Sequence, residues 1–141
     1  SAVREPRLYQ CAVSLNGISD LRAVLRRMQK YIGGRYLTSH IGRLWKDDES
    51  LRRDSPINHI DNIRSPMLIV ASADDRVVSP QESRGMFKAL QGSSKPSEFI
   101  ELVEGDHFLS RQDNRRIFSE AMLEFLHRHM RQNTVDVVGG D

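Results

Sequence analysis

The chain has 141 residues, about one domain's worth and enough to bury a real hydrophobic core. Its 38% hydrophobic and 28% charged content sets it apart from disordered and fibrous sequences. The net charge of +2, with arginines spread along the chain, excludes the basic stripe of a nucleic-acid binder, and no apolar run reaches the ~18–20 residues of a membrane-spanning helix.

Residues 1–10 read as the exit of a helix or a loop, and they lack the apolar stretch of a signal peptide. Cys11-Ala12-Val13-Ser14-Leu15 is a short strand candidate, stopped by Asn16-Gly17. Cys11 is the sole cysteine; it excludes an intrachain disulfide and fits a reducing, cytoplasmic setting. Ser19 is expected to cap a helix whose apolar positions Leu21, Val24, Leu25, Met28 and Ile32 recur at helical spacing. Gly33-Gly34 should end it. A long polar connection follows from Arg35 to Arg64. In it, Asp47-Asp48-Glu49 reads as the acidic start of a short helix, since no histidine stands at ligand spacing for a metal. Ser55-Pro56 opens another short turn or helix.

Met67 to Ala71 is an unbroken apolar run, the signature of a strand buried on both faces. It gives way to Asp74-Asp75-Arg76. Ser79-Pro80-Gln81-Glu82 then predicts a helix start: Ser79 at the N-cap, Pro80 at the first helical position, Glu82 closing a capping box. That helix carries Met86, Phe87 and Leu90 on one face. A third strand is expected over Glu98 to Glu104, followed by Gly105-Asp106-His107-Phe108. The last helix runs from about Asp113 to Arg131, with a broad apolar stripe that includes Phe118, Phe125 and Met130. Residues 133–141 read as a frayed tail, leaving 1–132 as the domain.

Three strands alternating with helices define an α/β class with about three parallel strands and helices on both faces. In such sheets chemistry gathers beyond the carboxyl ends of the strands. Two successive strands end in loops bearing Asp74 and His107. An acid and an imidazole brought together there are the orienting carboxylate and general base of a Ser-His-Asp triad. A structural or solvent-facing histidine is the alternative. His40, His59, His127 and His129 have no such placement. No Gly-rich phosphate loop supports a nucleotide-binding module.

Five motifs carry a family resemblance from about Tyr9 to Met130: Asn16 to Leu21, Tyr31-Ile32-Gly33-Gly34, Asp54 to Ile63, Ala73 to Val78, and Glu104-Gly105-Asp106-His107. Together they resemble the C-terminal part of the catalytic α/β-hydrolase domain of the prolyl oligopeptidase family, the clan of dipeptidyl and acylaminoacyl peptidases. The resemblance implies a serine peptidase in which Asp74 is the triad aspartate and His107 the triad histidine. It places Arg76 where some members hold a substrate carbonyl, and leaves Asp75 a loop or surface contact. It implies a peptide substrate and neither cofactor nor metal. Ala71-Ser72 stands in place of the family's usual His-Gly. The nucleophile elbow, Gly-x-Ser-x-Gly, does not occur in these 141 residues. The expectation is therefore a C-terminal fragment, inactive alone. Its uncovered first strand and last helix should favour homo-oligomers through the sheet edge or helix exchange. The other reading is a non-catalytic domain that binds a partner through the same exposed sheet.

Overall fold

In a computed structural model the chain is described over residues 2, 4–5, 7–29 and 39–130. Tyr31 to Gly34 and the expected tail at 133–141 lie outside the described residues. Three strands form one sheet: β1 (Ala12–Leu15), β2 (Met67–Ser72) and β3 (Ser97–Leu102), in the order β1-β2-β3 and parallel throughout. Around them stand α1 (Leu21–Met28), α2 (Asp48–Asp54), a 3-10 segment (Pro56–Asn62), α3 (Pro80–Gly92) and α4 (Gln112–Met130).

The core follows from the period-two geometry of β2, whose six residues are all buried. Met67 and Ile69 point to one face, where Ile60, Ile63, Met86 and Leu90 cover them. Leu68 and Val70 point to the other, against Leu102, Leu109 and Phe125 of α4. Helices therefore cover both faces, as the unbroken apolar run requires. A third cluster, Leu25, Leu44 and Leu51, joins α1 to α2. The register pairs Leu15 with Val70 and Ser72 with Leu102. The carboxyl ends of the three strands thus meet at one rim.

Three local expectations change. Asp20, not Ser19, caps α1: its Oδ1 accepts the N–H groups of Arg22 (2.9 Å) and Ala23 (3.2 Å). Ser19 is drawn away by Glu82. The Glu82 carboxylate closes no capping box. It lies buried and accepts the Ser19 N–H (3.1 Å), the Ser19 hydroxyl (3.1 Å) and the Asp20 N–H (2.8 Å). The acid expected to close a capping box instead ties the start of α3 to the loop after β1, where it satisfies backbone donors that burial removes from water. Finally, the apolar stripe of α4 is only partly covered: Phe125 is buried, while Ile117 and Met130 remain exposed. Asp48 spends its charge locally, on Arg22 (2.6 Å) and Arg52 (2.8 Å). Those two arginines hold its carboxyl below the usual carboxylate range, the Arg52 hydrogen bond most strongly.

Candidate active site

The site is built where the loops after β2 and β3 are zipped together. Ala73 N–H donates to the Leu102 carbonyl (3.0 Å) and Asp74 N–H to the Gly105 carbonyl (2.9 Å). This approach needs a glycine at 105. A Cβ there would stand 2.9 Å from the Leu102 carbonyl oxygen and 3.1 Å from the Asn114 amide nitrogen.

The Asp75 carboxylate, with its side chain 1% exposed, lies against the His107 ring, 2.7 Å from Oδ2 to Nδ1. Its other oxygen, Oδ1, accepts the N–H groups of Val77 (2.7 Å) and Val78 (2.8 Å). Three donors thus fix one buried carboxylate, and they offset the desolvation that an unpaired charge would suffer there. With Nδ1–H given to Asp75, the neutral ring carries its lone pair on Nε2. No described residue hydrogen-bonds Nε2. The ring is 28% exposed and meets Phe108 edge-on, with centroids 5.2 Å apart at 89°.

The loop that carries His107 is held by its neighbour. Asp106 accepts N–H bonds from Phe108 (3.1 Å) and Ser110 (2.9 Å). Hydrogen bonds from Ser110, hydroxyl first and backbone next, keep the Asp106 carboxyl below its ordinary range. Leu109, at φ 52°, turns inward and is 8% exposed. Phe108 is left outside at 77% exposure.

His107 stands at the rim as expected from sequence, and a carboxylate meets it there, but the carboxylate is that of Asp75 rather than Asp74. Asp74 is exposed, and its backbone N–H is spent on Gly105. The reason is a turn. The Asp75 N–H bonds back to the Ser72 carbonyl (3.2 Å), which sends the side chain of residue 74 to solvent and brings residue 75 under the loop. Two adjacent aspartates are indistinguishable to pattern reasoning. The usable signal is the Asx-type pairing of Asp75 with the N–H groups two and three residues on. Arg76 is exposed in the same loop and makes no ion pair among the described residues.

Asn16, in the sequence a strand stop and the first residue of a motif, carries no sign there of its contacts at the rim. It is buried, with φ 49°. Its Oδ1 accepts the Ser72 N–H (2.8 Å), and its Nδ2 donates to Ser72 Oγ (3.0 Å) and to the His107 carbonyl (3.4 Å). Ser72 is fully buried and satisfied by this contact.

A parallel sheet with helices on both faces and an acid–imidazole pair beyond its carboxyl rim is the arrangement of an α/β-hydrolase. The family model described as "Prolyl oligopeptidase family" matches residues 1–133, and the chain belongs to that peptidase family. It is 27% identical over 125 residues to dipeptidyl aminopeptidase BIII of Pseudoxanthomonas mexicana, covering 86% of this chain and 18% of that protein. It is 30% identical over 111 residues to the uncharacterized peptidase YtmA of Bacillus subtilis, covering 74% of this chain and 40% of that one. The chain thus spans about a fifth of the length of the first relative and two fifths of the second. Among solved structures, a puromycin-hydrolyzing peptidase of Mycobacterium tuberculosis superposes with a TM-score of 0.77 at 26% identity, over 84% of this chain and 18% of that one. The acylaminoacyl peptidase of Pyrococcus horikoshii superposes with a TM-score of 0.82 over all of this chain and 23% of that one, at 20% identity, and shows the shared fold. No helix among the described residues is long and apolar enough to cross a membrane.

Proposed function

We propose that this chain supplies the acid–base half of a serine-type acyl-transfer site that cleaves peptides. The observation that carries the reading is the contact of buried Asp75 with His107 Nδ1 at 2.7 Å, with Nε2 left open at the rim. In the mechanism, Nε2 takes the proton of a serine hydroxyl as that oxygen attacks the scissile carbonyl. Asp75 holds the ring in the tautomer that leaves Nε2 basic and stabilises the imidazolium. The same ring then delivers the proton to the departing amine, and water repeats the cycle to release the acyl group. Arg76, exposed beside Asp75, is the residue we assign to a substrate carbonyl.

The hydroxyl and the oxyanion-hole donors must come from outside these 141 residues, which hold no Gly-x-Ser-x-Gly. Without them most of the rate enhancement is lost, so the chain by itself is inactive. The place for the missing part is β1. Its Ala12 and Asn16 N–H groups serve β2, and by the alternation of a parallel ladder those of Val13 and Leu15 face away from it. All four β1 residues are only half-buried, against six fully buried in β2.

The test is reconstitution. The chain is mixed with a separately expressed elbow-bearing segment of a family member, and ester hydrolysis and phosphonate labelling are followed. Expected is activity on mixing, labelling of the added serine, and loss of both with His107→Ala. Stoichiometric labelling of a serine in the 141-residue chain alone, or activity indifferent to His107→Ala, would sink the proposal.

The same bare edge favours a second reading, a domain that self-associates through β1 or by exchange of the half-covered α4. A monodisperse monomer in light scattering at high concentration rejects it.

A further inference from the structure

The His107 ring is aligned by Asp75, but its height over the sheet depends on its main chain. Among the described residues, one hydrogen bond reaches that main chain: Asn16 Nδ2 to the His107 carbonyl. Asn16 leaves β1 with φ 49°, a left-handed conformation that asparagine tolerates better than most residues. Its N–H still bonds to the Val70 carbonyl of β2 (2.9 Å), and its Oδ1 continues the ladder by accepting the Ser72 N–H. Its amide nitrogen then has two protons, one for Ser72 Oγ and one for His107. A single buried amide, 8% exposed, thereby joins the ends of all three strands.

We propose that Asn16 is a positioning residue that holds the His107 imidazole in line with Asp75, an inference resting on the reading of His107 as the base. The chemistry needs an amide. Ser72 N–H requires an acceptor, while Ser72 Oγ and the His107 carbonyl both take donors. Aspartate matches the first requirement and can accept the Ser72 hydroxyl as a donor, but it cannot donate to the His107 carbonyl. Leucine or alanine fails all three.

The experiment is imidazole NMR on the chain, reading the ring nitrogen shifts and the exchange of the Nδ1 proton. In the unmodified chain His107 is expected in the Nδ1–H tautomer, with a downfield, slowly exchanging proton shared with Asp75. Asn16→Ala is expected to speed that exchange at least tenfold and to populate the Nε2–H tautomer. Asn16→Asp keeps the bond to the Ser72 N–H and therefore the turn, so it reports even if the alanine variant fails to fold, and it is expected to lose the signature too. Ser72→Ala removes one partner of the amide but leaves the bond to His107, so it should keep the signature. Retention in both Asn16 variants, or loss in Ser72→Ala as complete as in them, overturns the inference. Absence of the Nδ1–H tautomer in the unmodified chain instead overturns the reading of the Asp75–His107 pair itself, and the inference with it.

Discussion

The two edges of the sheet are finished differently. On β3, Glu98 and Glu101 point to opposite faces, and each is held by an arginine: Glu98 by Arg128 at 2.7 and 3.1 Å, Glu101 by Arg84 through Nε at 3.0 Å and through its terminal nitrogen. Charged, ion-paired side chains blunt an edge against further strands. On β1 the sequence is Ala-Val-Ser-Leu, with no charge. One apolar cavity of about 190 Å³ opens on one face of it, lined by Ala12, Ser14, Met67, Ile69 and Met86 among others. A second, near 440 Å³, lies between Leu8, Tyr9, Cys11, Leu126 and Met130. The β3 edge thus carries charge held in ion pairs, and the β1 edge carries none. The acid–base pair joins the loops after β2 and β3, on the side of the sheet away from β1.

The sharpest way to break this comparison lies at the pair. In the reconstituted hydrolase, Asp75→Asn is expected to lower kcat by ~10³–10⁴, the scale of losing the orienting acid of a triad. Asp74→Asn should stay within a few-fold. Steady-state ester hydrolysis separates them, and a reversed order would return the acid's role to Asp74.

At the open edge, Val13→Pro removes an N–H that points away from β2 and costs no bond to β2. It should weaken docking of the elbow-bearing segment at least ~10-fold, about 1.4 kcal/mol, in a titration followed by light scattering. Unchanged docking would show that the edge is not the seat of assembly.

The smallest effect is expected at the closed edge. The Arg84 hydrogen bond holds the Glu101 carboxyl below its ordinary range. A depressed folded value means stability that is present above the unfolded value, about 4.3, and lost as pH falls through the folded one. The pair is partly solvated, so Glu101→Gln should cost under ~1 kcal/mol near neutral pH, and the gap should close in acid, below the folded value. Urea denaturation at the two pH values reads it, and a gap that persists in acid would mean the contact is packing rather than charge.

Cys11 ties the two ends of this comparison to the sequence. Burial pushes its thiol up from the ordinary value, as its place in a half-covered apolar run implies. The run itself, like Met67 to Ala71 and the strand before Glu104, was legible because apolar composition and length report burial directly. Ser79 and Pro80 likewise announced the start of α3 through backbone chemistry that is local. Glu82 and Ser19 misled because each had a nearer partner in sequence and a better one in space, 63 residues away.

What the sequence by itself determined was the parallel α/β order, the two-faced burial of β2, and His107 at a strand end, since each rests on period, composition or caps within a few residues. Only the tertiary structure decided which of two adjacent aspartates meets the imidazole, and that Asn16 reaches across to the His107 carbonyl. A turn that moves a side chain from solvent to a buried contact involves a one-residue choice, and the donor that distinguishes Asp75, Nδ1 of His107, comes from a distant chain segment brought near only when the strands align at a common rim.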